Sequence, residues 1–181
     1  MMQIICSGFG GQGILTLGLI LAEIANDLDK HIVWIPSYGG EMRGGTANCT
    51  LTISDEPIIN PYIEEVDLLV ALNKPALERF SPRVRPGGCI IVNSSIVKQY
   101  EKVKGVKYIE LPATEIAMAE QNERGIGLVF VAASMAYLKF ASKEEGAAGV
   151  EAYFAKKHIK NPKNKPVYLA GYEAALKSLG A

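Results

Sequence analysis

Apolar and polar positions change period several times along the chain, and each change marks an element. Met2-Gln3-Ile4-Ile5-Cys6 is a short apolar run of strand type. From Ile14 to Leu28 the apolar residues fall at Ile14, Leu17, Leu21, Ile24 and Leu28, the spacing of one helical face. His31 to Ile35 then predicts a second strand, roughly 30 residues after the first, which is the repeat of a βαβ unit. Thr46 to Ser54 alternates with a period of two. Ala47, Cys49, Leu51 and Ile53 share one face, and Thr46, Asn48, Thr50, Thr52 and Ser54 share the other. That pattern predicts a half-exposed strand, antiparallel or at an edge.

Asp67 to Leu72 and Cys89 to Asn93 are largely apolar runs, as expected of parallel strands covered on both faces. Asn73-Lys74-Pro75 opens a short helix through Phe80, with Pro75 suited to a first turn. Pro86-Gly87-Gly88 predicts a turn, and Val106 to Leu111 another strand. Further helices are predicted from Thr114 or Ala113 to Gln121, from Leu128 to Ala141, from Glu144 to Lys157, and from Val167 to Leu179, the last entered through Pro166. Strands alternating with helices predict an α/β fold: a Rossmann-like, three-layer αβα arrangement. Its sheet should be mostly parallel, with at least one antiparallel or edge strand.

The 181 residues suit one domain with a full core, here taken as 1–181, and are too few for two ordinary ones. With 19 basic and 19 acidic residues the formal net charge is zero, which argues against a nucleic-acid partner. Apolar runs break well before the roughly 18 residues of a membrane span. The N-terminus opens directly on a core strand with no cleavable signal, so the expected location is cytoplasmic. Cys6, Cys49 and Cys89 form no C-x-x-C pair, so this chain alone is not expected to ligate zinc or an iron–sulfur cluster. They read as buried small hydrophobes in a reducing compartment. A hydrophobic content of 49 % points to some apolar surface meeting a partner.

Between the first strand and the first helix lies Gly8-Phe9-Gly10-Gly11-Gln12-Gly13, which fits G-x-G-x-x-G. Such a loop permits positive φ, lets backbone approach a ligand, and aims N–H groups and a helix N-terminus at an anion. A dinucleotide site would also need an acid closing the second strand to hold the ribose hydroxyls. That strand ends Ile35-Pro36-Ser37, without one. A P-loop is excluded because no Lys-Ser or Lys-Thr follows Gly13. Two readings stay open: glycines that merely allow tight strand–helix packing, or an N–H nest beside Gln12 that receives an anion or a partner's loop.

A second glycine-rich stretch, Pro36 to Gly45, carries Ser37, Tyr38, Glu41, Arg43, Gly44 and Gly45. Both stretches follow strands read as consecutive and parallel, so they should meet at the carboxyl edge of the sheet, where ligands of open α/β sheets bind. Arg43 could fork onto a carboxylate or phosphate with Glu41 holding it, or the two could form a surface ion pair of little worth. His31 and His158 lack a nucleophile partner, and no paired carboxylates frame a cleft. The residues alone therefore describe a binding domain, with chemistry elsewhere.

The two motifs together, G-F-G-G-Q-G and S-Y-G-x-E-x-R-G-G, resemble the gamma subunit of the 2-oxoacid:ferredoxin oxidoreductases. The resemblance extends through Thr46–Ser54, Asp67–Asn73, Pro75-Ala76-Leu77, Pro86-Gly87-Gly88 and Leu111 to Ala117, most of the first 120 residues. One departure is that Gly125 and Gly127 occupy a turn where an Asn is expected. The resemblance implies a complex that oxidatively decarboxylates a 2-oxoacid, makes an acyl-CoA and reduces ferredoxin. It implies thiamine diphosphate between alpha and beta subunits, and iron–sulfur clusters on other chains. This chain would be an accessory subunit docked on alpha and beta, in some complexes also delta, near the path of CoA, with ferredoxin an indirect partner and a homodimer open to it when isolated. The site residues so implied are Gly8, Gly10, Gly11, Gln12, Gly13, Tyr38, Glu41, Arg43, Gly44 and Gly45. The competing reading is a stand-alone nucleotide- or flavin-binding enzyme using the glycine loop.

Overall fold

Among the described residues six strands, β1 (Met2–Phe9), β2 (His31–Tyr38), β3 (Thr46–Ser54), β4 (Val66–Ala71), β5 (Val84–Asn93) and β6 (Lys107–Leu111), form one sheet in the order β2-β3-β1-β4-β5-β6. The computed structural model describes residues 1–38 and 46–180. Strands β1, β4, β5 and β6 pair in parallel, and β3 pairs antiparallel with both β1 and β2. Hence β2 runs in the same direction as β1, but β3 lies between them. The sequence reading has them as consecutive parallel strands; they are parallel in direction but not neighbours in the sheet. Of the two alternatives read from its alternation, antiparallel or at an edge, β3 takes the first: it is antiparallel but internal, and β2 is the edge. Burial follows from that position: Thr52 and Ser54, on the polar face of the alternation, are buried as well.

Helices α1 (Ile14–Asn26), α2 (Lys74–Phe80), α3 (Ala113–Ala119), α4 (Ile126–Leu138), α5 (Lys143–Lys156) and α6 (Asn164–Leu179) cover the two faces unequally. On one face Ile4, Cys6, Leu51, Leu68 and Ile91 pack against α1, α4, α5 and α6. On the other, Ile5, Leu69, Ile90 and Val92 meet Ala76, Leu77 and Phe80 of α2, with Val97 from the following segment. Helix α4 is apolar all round because it is enclosed all round, and Leu128 to Ala136 are buried without a break. Each large side chain buried this way contributes roughly 1.5–3 kcal/mol. α6 approaches α4 at Gly171, where a Cβ would lie 2.8 Å from the Val129 Cα.

Local signals set the element ends. Asn73, in extended conformation, caps α2 by accepting from the Ala76 N–H at 2.9 Å. Ser142 and Glu145 form a reciprocal capping box at the start of α5. Pro86–Gly88, read as a turn, is instead a bulge inside β5: the partner of Val66 is Val84, and that of Leu68 is Cys89. Gly87, at φ +82°, takes the left-handed conformation the bulge needs, and Arg85 reaches Asp67 at 2.5 Å. α4 starts at Ile126 and α6 at Asn164, each earlier than the sequence reading, so Pro166 lies within the first turn of α6 rather than before it.

Candidate functional site

Phe9 of β1 pairs with Thr46, and Ala47 pairs with both Gly8 of β1 and Tyr38 of β2. The glycine loop and the two anchors of the second loop therefore share the carboxyl edge of the sheet, one strand apart. Tyr38 closes β2. Glu41, Arg43, Gly44 and Gly45 lie outside the described residues.

Within the glycine loop the glycines do different work. A Cβ on Gly8 would meet Gln12 Oε1 at 2.7 Å, Ile14 Cδ1 at 2.8 Å and Leu72 Cβ at 3.1 Å, so Gly8 serves packing. Gly11 and Gly13 have open space around them but φ of +93° and +78°, so they serve conformation. Gly10 is exposed at the tip. Gly13 is the left-handed N-cap of α1, contributes no capping side chain, and the first turn holds no acid. The α1 N-terminus thus presents its backbone donors and positive dipole end without a built-in counter-charge.

Gln12 is not simply open to a ligand, as the sequence suggested. Its side-chain oxygen accepts from the Phe9 N–H at 2.7 Å and from Asn73 Nδ2 at 3.1 Å. Helix α1 packs on one face of the sheet and α2 on the other, so the gap between β1 and β4 is the topological switch point. Gln12 and Asn73 tie that crevice across its mouth.

The available space lies to the side of the crevice, over the start of α1. A cleft of about 560 Å³ is lined there by Gly11, Gln12, Gly13 and Thr16, by Asn93 at the end of β5, and by Glu123 and Arg124 before α4. Leu17, Ile20, Ile126 and Phe154 supply apolar wall. The sequence reading missed Thr16, Asn93, Glu123 and Arg124. The nearest signal is the turn holding Gly125 and Gly127, where the sequence departs from the Asn expected by resemblance. That turn is held from behind: Asn122 Nδ2 donates to Asn164 Oδ1 at 3.0 Å in a buried pair, and the Gly125 N–H donates to the Asn122 carbonyl at 2.8 Å.

The lining of this cleft suits recognition of an anion better than catalysis. Backbone donors at the head of α1 and the Arg124 guanidinium favour an anion. Glu123 sets a second polarity on the same rim. The described lining residues include no histidine, cysteine or nucleophile–base pair. The donor set does not fit a metal or cluster either, because among the described residues no three His, Cys, Asp or Glu side chains converge. Among the described residues no helix is long and apolar enough to cross a membrane.

Comparison with known proteins points one way. Residues 3–174 match the family model described as pyruvate ferredoxin/flavodoxin oxidoreductase. The chain is 35 % identical over 174 residues to the ketoisovalerate oxidoreductase subunit VorA of Methanothermobacter thermautotrophicus, covering 96 % of this chain and 36 % of that protein. It thus spans only about a third of that relative's length, and 27 % of the VorA of Methanothermobacter marburgensis. It is 33 % identical over 165 residues to the 2-oxoglutarate synthase subunit KorC of M. marburgensis, covering 88 % of this chain and 84 % of that one. The crystal structure of the keto/oxoacid ferredoxin oxidoreductase gamma subunit from Geobacter sulfurreducens superposes with a TM-score of 0.80 at 27 % identity, covering 98 % of this chain and 99 % of that one.

Proposed function

The chain belongs to the pyruvate ferredoxin/flavodoxin oxidoreductase family and is of its gamma-subunit type, and from that premise we propose that it works as the accessory subunit of a complex that oxidatively decarboxylates a 2-oxoacid, forms an acyl-CoA and reduces ferredoxin. Its partners are then alpha and beta chains, with delta where present, and ferredoxin meets the complex rather than this chain. Thiamine diphosphate and the iron–sulfur clusters belong to those partners. In this role residues 1–181 act as one domain and the complex is cytoplasmic.

The observation that carries this reading is the cleft at the head of α1. It brings Gly11, Gly13 and Arg124 together as a receptor for negative charge, yet its described lining holds no catalytic pair. An anionic group of CoA, or an acidic loop of a partner, suits it. The stand-alone nucleotide enzyme is disfavoured, since β2 carries no acid at Ser37 or Tyr38 and the Gln12–Asn73 bond crosses the crevice where a dinucleotide would lie.

Co-expression with candidate alpha and beta chains, followed by affinity purification on this chain, tests the role. The expected result is a stoichiometric complex whose assembly weakens with Arg124→Ala. Calorimetry then separates the two uses of the cleft: CoA binding that Arg124→Ala abolishes supports the ligand use, and unchanged CoA binding with lost assembly supports docking. A chain that recovers neither partner, and binds NAD or FAD stoichiometrically by itself, refutes the subunit role.

A further inference from the structure

Cys6 and Cys49 stand directly opposite one another on β1 and β3, both fully buried on the α1 face of the sheet. Directly opposed residues of an antiparallel pair have Cα atoms about 4.5 or about 5.5 Å apart, according to whether they share the hydrogen-bonded ring. Both separations lie within the roughly 4.4–6.8 Å that a disulfide spans. Cβ atoms of such pairs stand about 4.5–5.5 Å apart. A disulfide needs roughly 3.5–4.5 Å, so bridging would draw the strands together and leave a bond that is readily reduced.

The surroundings favour reaction at one sulfur. A Cβ on Gly18 would lie 2.5 Å from Cys49 Sγ and 2.9 Å from Trp34 Nε1, so a glycine in α1 makes room for both groups. The Trp34 indole N–H, bordering the same space, has no hydrogen-bond partner among the described residues. Cys49 donates its S–H to the Ile14 carbonyl at 3.7 Å. A hydrogen bond from Cys6 holds the Cys49 thiol below its ordinary value, and the same pairing, with burial, pushes Cys6 up. Cys49, which shares its space with the unpartnered Trp34 N–H donor, is thus placed as the attacking sulfur, and Cys6, opposite it, as the resolving one.

We propose that Cys6 and Cys49 are a redox-active pair, joined as a reversible cross-strand disulfide when the protein meets hydrogen peroxide. The Cys49 thiolate attacks one peroxide oxygen. The O–O bond breaks, hydroxide leaves and takes a proton to become water, and Cys49 becomes a sulfenic acid. The Cys6 sulfur then attacks the Cys49 sulfur. The S–S bond forms, the S–O bond breaks, and the departing hydroxide leaves as water with the Cys6 proton. Two thiols have lost two electrons and two protons, and one peroxide has become two waters.

The consequence falls on the carboxyl edge. Cys6 lies two residues before Gly8, and Cys49 holds the carbonyl of the first residue of α1. Bridging withdraws that sulfur from Ile14 and fixes β1 to β3 directly beneath the glycine loop.

Cys89 is the internal reference: it is buried on β5, and burial pushes its thiol up to about 12. Met118, 56 % exposed, reports the peroxide dose. The full chain is treated with hydrogen peroxide, its remaining thiols are alkylated in denaturant, and its peptides are mapped by mass spectrometry. The expected result is a peptide pair linked through Cys6 and Cys49, alkylated Cys89, and reversal by dithiothreitol. Cys49→Ser should abolish the linked peptide, and Cys6→Ser should leave a dimedone-reactive sulfenic acid at Cys49. Three alkylated cysteines at a dose that oxidises Met118 would overturn the proposal. So would a link to Cys89, or linkage that appears only after circular dichroism shows the fold is lost.

Discussion

Asn73 donates its side-chain amide to the carboxamide oxygen of Gln12 at 3.1 Å, joining the loop after β4 to the loop after β1. Asn73 uses its other side-chain atom to cap α2, and the Gln12 oxygen also receives the Phe9 N–H. One bond therefore couples the starts of two helices that lie on opposite faces of the sheet.

Removing that oxygen should loosen both helix starts. Gln12→Ala leaves the buried Asn73 amide without its partner, at a cost of about 1–3 kcal/mol. Gln12→Glu keeps an acceptor for both donors, so its chemical-denaturation midpoint should stay near wild type. Its added charge should nevertheless reduce anion binding at the cleft. Paired denaturation and calorimetry on the two variants check this, and equal destabilisation by both would contradict it.

Gly8 and Gly11 should respond to alanine for different reasons. At Gly11 the new Cβ has room but the φ of +93° is strained, costing about 1–2 kcal/mol. At Gly8 it meets Gln12, Ile14 and Leu72 within 3.1 Å, and the core must shift, costing about 1–3 kcal/mol. Ile14→Val, which removes the Cδ1 that the new Cβ would meet at 2.8 Å, should recover part of the Gly8→Ala loss and none of the Gly11→Ala loss. Thermal unfolding of the single and double variants measures both.

The turn that carries Arg124 depends on a buried amide pair. Asn164→Ala removes the acceptor of Asn122 Nδ2 and should cost about 1–3 kcal/mol. Arg124→Ala, at an exposed position, should change stability by no more than about 0.5 kcal/mol. Both should weaken partner assembly, the first by displacing the turn and the second by removing its charge.

Acid should loosen the start of α5. The Ser142 backbone N–H and then its hydroxyl hold the Glu145 carboxyl below its ordinary value. A carboxyl lowered in the folded state contributes stability that is full above its unfolded value and is lost as pH falls through the folded value. The protection factors of amides in the first turn of α5, which discount the intrinsic pH dependence of exchange, should therefore fall on acidification below the ordinary glutamate range. Glu145→Gln retains the capping geometry and should remove this pH dependence.

Elements with a strong local cause were legible in the sequence. The period of Ile14 to Leu28 announced α1, and Asn73 with Pro75 announced the start of α2. Asp67 to Leu72 announced a covered parallel strand. What failed was information that the chain carries only in three dimensions. The pattern of Thr46–Ser54 says antiparallel but not which strands flank it, so β3 was not foreseen between β1 and β2. Pro86–Gly88 has turn composition, yet extended chain on either side absorbs it as a bulge. Glu123 and Arg124 reach the glycine loop only because α4 packs behind α1, and neither residue stands out in sequence. The second loop marked the family more sharply than the glycine loop did, while Gln12 proved to belong to the crevice's closure.

Ferredoxin reduction, measured with a 2-oxoacid and CoA present, tests the gamma-subunit role most directly. The isolated chain should show no turnover, and alpha and beta chains should reach full activity only when this chain joins them. Turnover by the isolated chain, or full activity of the other chains without it, would contradict the assignment.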